Sequence, residues 1–460
     1  MKRYRQNGFP FFTAIAAGSL LGLMVGAFIA GVYVEQALWS MPDRVNFKQS
    51  LPWFTLFTLG FIYFNNILDF SRGRSHAAFS AFVSIILINI CMMALPFFEV
   101  LYYLQITTLF VIILFELILT WIWICVFHRL WLLFNPPLPT VVFCGDPVKG
   151  KEIADKISKS QKTNRAYKLA AYDETGFLTA ADGFDSVVLV DPPPDMKNMI
   201  ALFCWENEKE LFIVPDIYEL IVNNAAMTQF DDLMTYKAKS IGLTQEQRLI
   251  KRTADILISV LALTLLSPLY LIIAIIVKRD GGPVIYSQKR ITRGGREFNL
   301  YKFRTMIPDA EKNTGPVLSV INDSRVTKTG KWLRQCRLDE LPQFFNALKG
   351  DMSVVGPRPE RPHFIEKYLE TNPEYQYRTK VRAGITGLAH VMGKYNTTPE
   401  ERIKLDLTYI QNYSFLLDLK IILETFRVIF TKEFAEGVEN PMPTDTADAV
   451  VKKDFEKETV

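Results

Sequence analysis

ILISVLALTLLSPLYLIIAIIV, the run Ile256–Val277, decides how this chain meets a membrane. It is long enough to cross a bilayer, and a simple span is the first reading. Two features oppose it. Lys251-Arg252 precede the run and Lys278-Arg279 follow it, so both flanks carry the charge that favours the cytoplasmic side. Ser267-Pro268 interrupts its middle, where proline removes the hydrogen bond to the Thr264 carbonyl and kinks the helix. A broken helix entering and leaving by one face satisfies both facts, with Ser267 and neighbouring protein meeting the freed backbone groups. The expectation is a re-entrant helix over 255–278, broken at Ser267 and Pro268.

Upstream lie four more apolar stretches of spanning length, Phe11–Val34, Leu51–Phe70, Ala78–Phe98 and Ile106–Phe127. Lys2, Arg3 and Arg5 precede the first, Arg72 and Arg74 occupy the second connection, and Arg129 follows the fourth. The connection around Glu99–Gln105 has no Lys or Arg. Arg44 and Lys48 in the first connection run against the bias, yet the balance puts both ends of a four-helix transmembrane bundle in the cytoplasm. The N-terminus shows no small-residue cleavage site and reads as a retained anchor.

A hydrophobic content of 49% in 460 residues fits a protein partly in lipid, and a net charge of +4 is too mild to suggest nucleic acid as a partner. Five scattered cysteines without CxxC spacing argue against a disulfide framework or a zinc site.

From Pro139 the chain turns soluble in character. Val141–Gly145 reads as a buried strand, Ser186–Asp191 and Leu211–Pro215 as a second and a third, and Lys149–Lys159 as a helix, which predicts a small parallel, Rossmann-like α/β domain. Gly145–Gly150 lacks the GxGxxG spacing that admits a pyrophosphate, so a structural or regulatory module without cofactor stands beside a ligand-binding one. After the broken helix, Val284–Gln288 and Glu297–Phe303 flank Arg293-Gly294-Gly295-Arg296 and predict a β-hairpin. Helical patterns follow at Lys328–Cys336, Pro342–Leu348 and Ser414–Phe430, the last as a core helix or an interfacial one. Beyond Lys432 the chain is acidic and polar, and a disordered tail is expected over 435–460.

The chemistry concentrates in Arg337-Leu338-Asp339-Glu340-Leu341-Pro342-Gln343. Two carboxylates stand just ahead of a proline suited to a first helical turn, where the helix dipole favours their ionised form. An ionised Asp among arginines suits attack on phosphorus or metal binding; a bare N-cap is the plain alternative. Lys302 and Arg304 alternate along a strand, Arg334 lies a little over one helical turn before Asp339, and Arg358 sits between two prolines that stiffen its loop. Each has a plain alternative as a solvated surface cation.

Lys302-Phe303-Arg304-Thr305-Met306, Asp323-Ser324-Arg325-Val326-Thr327, Lys349-Gly350-Asp351-Met352-Ser353 and Gly356-Pro357-Arg358-Pro359-Glu360 surround that run in a fixed order. Together they resemble the signature blocks of the bacterial sugar transferases, the polyprenyl-phosphate hexose-1-phosphate transferases of the monotopic phosphoglycosyl transferase superfamily. The resemblance covers about Gln245 to Phe434, and the family's long members also carry membrane helices and a Rossmann-like domain ahead of it. It implies a membrane protein of α plus α/β class with transmembrane helices over 1–135, a Rossmann-like domain over 136–244 and a re-entrant-helix catalytic domain with a β-hairpin over 245–434.

For the site, the resemblance implies Asp339 as nucleophile, Glu340 with Asp339 holding Mg²⁺, and Lys302, Arg304, Arg334 and Arg358 binding phosphate. It implies further substrate contacts from Gln288, Arg290, Arg378, Arg382, Thr386 and Asp406. The partners would be a UDP-sugar, undecaprenyl phosphate and membrane lipid, with a homodimer through the middle domain in keeping, at the cytoplasmic face of the bacterial inner membrane. Relatives carry a small residue at the position of Arg337, and read Pro-Gly-x-Thr-Gly-Trp-x-Gln where this chain has Ala383, Leu388 and His390. His390 is either a hydrogen-bonded structural residue or a general base. Two rival functions stand beside this one, a non-enzymatic scaffold and a membrane-bound NAD-dependent nucleotide-sugar dehydratase or epimerase. The first is opposed by the acidic pair with its cations, the second by the missing Gly-rich fingerprint and Tyr-x-x-x-Lys pair.

Overall fold

The computed structural model describes residues 10–39, 47–94, 106–136, 138–159, 167–172, 181–308, 323–393 and 397–429. The expected tail over 435–460, the Glu99–Gln105 connection and the basic residues at the extreme N-terminus lie outside them. Two compact units form, Met1–Pro215 and Asp216–Val460.

The first unit opens with four helices, α1 (Pro10–Trp39), α2 (Phe47–Phe64), α3 (Arg74–Ala94) and α4 (Ile106–Phe134). Leu20, Met24, Phe28, Phe54, Ile85 and Ile88 fill their common core, and the rings of Phe28 and Phe54 stack at 4.3 Å. Three of the helices are long and apolar enough to cross a membrane, over Phe11–Val34, Arg74–Ala94 and Leu109–Phe134. The stretch expected to span up to Phe70 is shorter, an apolar helix of Ser50–Phe64. Asparagines end it: Asn66 takes a left-handed φ of 49°, and Asn65 Nδ2 donates to Ser84 Oγ at 2.6 Å.

A parallel sheet follows, of β1 (Thr140–Cys144), β2 (Tyr167–Ala170), β3 (Ser186–Val190) and β4 (Glu210–Val214) in the order β2-β1-β3-β4. Helices α5 (Pro147–Lys159) and α6 (Pro194–Glu206) supply the crossovers. β1 and β3 are buried throughout, as unbroken apolar runs require in a parallel sheet. β2 escaped the sequence reading because Tyr-Lys-Leu-Ala at its edge is only half-buried.

The second unit begins with α7 (Ile217–Asn223) and the hairpin β5 (Ala226–Phe230) with β6 (Leu233–Lys237). Asn224 Nδ2 donates to Gln411 Oε1 at 2.9 Å, so this segment is tied to the second unit. The decisive run then appears as α8 (Gln245–Leu265) and α9 (Ser267–Arg279), bent by 63° at Leu266. Ser267 Oγ donates to the Thr264 carbonyl at 2.8 Å, replacing the bond that Pro268 cannot make. Ten or so apolar residues per arm reach only about 15 Å, half of a hydrocarbon core. Leu257, Leu261, Leu265 and Leu271 are exposed on these arms, while Ile273 and Val277 turn inward onto Phe303 and Leu333.

Lys251 and Arg252 are not simple flanking charges. Buried Lys251 donates to Asp418 Oδ2 at 2.6 Å and to Tyr409 Oη at 2.9 Å, and Arg252 caps the Ala347 and Leu348 carbonyls at 2.7 Å each. The positive charge ahead of the run is thus engaged inside the protein, and the break at Ser267-Pro268 remains the re-entrant feature of the pair.

The remaining elements are the antiparallel pair β7 (Ile285–Ile291) and β8 (Glu297–Phe303), α10 (Lys328–Gln335), α11 (Gln343–Lys349), β9 (Ser353–Val355), α12 (Pro362–Thr371), β10 (Gly384–Thr386), α13 (Leu388–Met392), α14 (Pro399–Gln411) and α15 (Phe415–Ile429). β9 and β10 pair in parallel, so close that a Cβ on Gly384 would sit 2.0 Å from the Gly356 nitrogen.

Candidate active site

Arg337 turns the chain out of α10 with a φ of 54°, a left-handed value that glycine reaches without strain, which is why a small residue suits this position. A 3-10 turn, Leu338–Glu340, follows, and Pro342 is the N-cap of α11. Leu338 and Leu341 pack onto Ile273, Val277, Phe303 and Leu333, and the Tyr270 hydroxyl donates to the Leu341 carbonyl. Hydrophobic burial of the two leucines against α9 thereby fixes the direction of the two acids between them. The acids stand in this turn, just ahead of α11, where the sequence placed them.

The adjacent carboxylates are treated oppositely. Glu340 Oε1 lies 2.6 Å from Lys302 Nζ and 3.6 Å from Arg358 Nη2. Burial by itself would raise Glu340, but Lys302, Arg358 and Arg337 more than reverse it and hold the carboxyl well below its usual range. Asp339 is 8% exposed, and no side chain among the described residues donates to its carboxylate. Burial pushes it up to about 6, against Lys302 and Arg334 and with the help of the Glu340 charge. Desolvation outweighs the cations, leaving a more basic carboxylate that is still ionised at neutral pH.

Arg334 Nε donates to Thr305 Oγ1 at 2.9 Å, which aims it from α10 toward Asp339. Arg358 is half-exposed, and its Nη1 stands 3.0 Å from His390 Nε2. Arginine can only donate, so His390 accepts there and is neutral. Burial, then Arg358 and Arg337, push its pKa well down. The structural reading of His390 is the one this geometry favours.

Lys302, Arg334 and Arg358 thus gather around the acids, but other expected residues do not. Arg304 lies just beyond β8, buried, and its Nη2 donates to the Val277 carbonyl at 3.1 Å at the end of α9. Arg378 and Asp406 form a buried ion pair at 2.9 Å, and Arg378 Nη2 also donates to the Arg358 carbonyl at 2.7 Å. Thr386 Oγ1 faces Thr425 Oγ1 at 2.6 Å in the interior. Arg290 Nη1 donates to the Pro359 carbonyl at 3.1 Å and its Nη2 to Gln288 Oε1 at 2.7 Å. Arg290, Arg378 and Asp406 therefore hold the Pro357–Glu360 loop in place. Arg382 lines a separate cavity with Arg252 and Asp255. Tyr270 and Lys251 were missed, because their partners are about 70 and 160 residues away and only folding joins them.

For Mg²⁺, no group of three or more His, Cys, Asp or Glu assembles among the described residues. Asp339 and Glu340 offer two carboxylates, with one Glu340 oxygen engaged by Lys302. That set fits magnesium as an ion held by one or two carboxylates with substrate phosphates and waters, and does not fit a cage of protein ligands.

The fold and site define a protein with membrane helices whose acidic pair is enclosed by cations. Residues 246–432 match the bacterial sugar transferase family. The chain is similar to the UDP-N-acetylgalactosamine-undecaprenyl-phosphate N-acetylgalactosaminephosphotransferase of Aeromonas hydrophila, 46% identical over 40% of this chain and 44% of that protein. An uncharacterized sugar transferase of Haemophilus influenzae is 31% identical over 63% of this chain and 66% of its own length. The UDP-glucose:undecaprenyl-phosphate glucose-1-phosphate transferase of Klebsiella pneumoniae is 39% identical over half of each. The chain thus spans less than two thirds of the length of each of these relatives.

Proposed function

We propose that this protein transfers a hexose 1-phosphate from a UDP-sugar to undecaprenyl phosphate at the cytoplasmic face of the bacterial inner membrane, priming exopolysaccharide or capsule synthesis. The observation that carries the reading is the unequal pair: Glu340 is locked by Lys302, while Asp339 is buried, has no side-chain donor among the described residues and is more basic than an ordinary aspartate. A desolvated carboxylate of that kind suits attack on phosphorus.

In the proposed course, Asp339 Oδ attacks the phosphorus bearing the sugar and UMP leaves, giving an acyl phosphate. An oxygen of undecaprenyl phosphate then attacks the same phosphorus, the Asp339 carboxylate leaves, and the lipid diphosphosugar is released. Lys302, Arg334 and Arg358 neutralise charge on the transferring phosphoryl group. Asp339 and Glu340 are the residues that would hold Mg²⁺, which when bound screens the diphosphate. The bent α8–α9 pair is proposed as re-entrant, bringing the acids to the bilayer surface where the lipid phosphate lies. The short α2 completes the four-span reading of the first unit. The parallel sheet serves as a Rossmann-like structural or regulatory module, and a homodimer through it belongs to the same proposal. UDP-glucose and UDP-galactose head the panel of donors.

The test is to incubate the full-length protein with each donor alone and search by peptide mass spectrometry for a hexose-phosphate adduct. Stoichiometric UMP and an adduct on Asp339, both lost in Asp339→Asn, are the expected result. Product formed with lipid present but no adduct under the same conditions sinks the covalent route.

A further inference from the structure

A cavity of about 80 Å³ opens where the polar start of α8 meets the β7–β8 turn and the segment before β10. That is room for an anion the size of two or three waters. Arg248, Arg252, Arg293, Lys380 and Arg382 line it, with Lys251 behind. Arg252 is committed to the end of α11 and Lys251 to Asp418. The side chains of Arg248, Arg293, Lys380 and Arg382 make no hydrogen bond or ion pair with any described residue. Asp255 is the one carboxylate in the lining; its Oδ1 accepts from Ser353 Oγ at 2.8 Å and the Val354 amide at 2.9 Å, and its Oδ2, with no hydrogen-bond partner among the described residues, offsets part of the Arg382 charge. Neighbouring Asp351 is taken by Arg296 and Lys349. Burial, followed by the nearness of Arg252 and Arg293, depresses even the Arg382 guanidinium. Arg248, Arg293 and Lys380 keep access to water, and the single carboxylate leaves positive charge in excess, which favours a bound anion.

The place of the cavity narrows the occupant. Arg252 and Arg248 precede the apolar run at Ile256 by about 6 and 12 Å along the helix, the depth of the headgroup layer if that run enters the bilayer. Ser353 lines the cavity at the start of β9, whereas Arg358 follows its end, about 16 Å of extended chain further on. We infer that this cavity is a second phosphate-binding site, distinct from the Asp339 centre, and that it holds the phosphate of an anionic membrane lipid. The assignment to lipid rests on the re-entrant placement proposed above. A bound headgroup there would pin the start of α8 at the surface and set the height of the bent pair.

The test uses native mass spectrometry of the full-length protein in detergent, titrated with phosphatidylglycerol, phosphatidylcholine or inorganic phosphate. The wild type should retain one phosphatidylglycerol that millimolar inorganic phosphate does not displace, with phosphatidylcholine at least tenfold weaker. Arg248→Gln/Arg293→Gln should bind phosphatidylglycerol at least tenfold more weakly, and Arg248→Lys/Arg293→Lys should recover most of it. Both should unfold at the wild-type temperature and keep turnover on a short-chain polyprenyl phosphate in detergent. Equal lipid retention by wild type and the Gln pair overturns the site. Displacement by inorganic phosphate at similar concentration overturns the lipid assignment in favour of a soluble phosphate. Failure of the Asp339 adduct with the lipid difference intact counts against the transferase mechanism alone.

Discussion

Asp339→Asn and Glu340→Gln should change stability in opposite directions, although the two residues are adjacent and both substitutions remove one negative charge. For Asp339 the rise from 3.8 to about 6 is about two pH units, or about 3 kcal/mol against the folded state once the group is ionised in both states. The sign follows from the direction of the shift. A carboxyl raised on folding costs nothing below its unfolded value near 3.8, and its full cost is present above about 6. Asn removes that cost but buries an amide with no side-chain partner, a penalty of about 1–2 kcal/mol. The net gain at pH 7 is about 1–2 kcal/mol, an upward shift of about 3–6 °C for a unit of this size.

Glu340 is depressed on folding, so its contribution is present above its unfolded value of 4.5 and is lost as pH falls further. Gln there leaves Lys302 with a neutral acceptor, at a cost of about 1–3 kcal/mol at pH 7. The assay is thermal unfolding of full-length protein in one detergent, scanned between pH 4 and pH 7.5, with UMP release measured alongside. Asp339→Asn should be inactive and more stable at pH 7, with the advantage fading by pH 4. An inactive Asp339→Asn that is no more stable than wild type at pH 7 refutes the picture of an anion whose desolvation outweighs its cations. So does a stability difference that does not change with pH.

Turnover of the wild type should fall as pH drops through about 6, because Asp339 must be ionised to attack; an acid limb centred near 4 contradicts its burial. His390→Gln keeps an acceptor for Arg358 and should lower kcat by less than about fivefold with the pH profile unchanged, while His390→Leu should cost about tenfold or more. Disappearance of a pH limb in His390→Gln marks it as a base instead. Tyr270→Phe removes the hydroxyl that holds Leu341 and should lower kcat about tenfold, about 1.4 kcal/mol, with KM for the donor little changed. An unaltered kcat detaches α9 from the site. In a background lacking the five native cysteines, Lys278→Cys should resist a membrane-impermeant thiol reagent added from outside, and rapid labelling there makes the bent pair a span.

What was readable in the chain followed from local rules. The break at Ser267-Pro268 was legible because proline deletes a hydrogen bond wherever it stands in a helix, and the bend of 63° with Ser267 on Thr264 is that rule realised. Periodicity located the β7–β8 hairpin, the buried strands of the parallel sheet and the helices on either side of the acids. The short Asp-Glu run with Lys302, Arg334 and Arg358 was identifiable for its residue types and its order.

Residue type did not determine which cation faces a site and which faces the interior. Arg304 ends on the Val277 carbonyl and Arg378 on Asp406, each as well suited to phosphate by its chemistry as Arg358. Nor did it separate Asp339 from Glu340. Whether an acid is stabilised or strained depends on how much water it loses and which charges stand within a few ångströms. Those are fixed by contacts such as Tyr270 with Leu341 and Lys302 with Glu340, made between segments far apart in the chain. Sequence sets the parts and the local turns, and solvent exclusion in the folded core sets their charge.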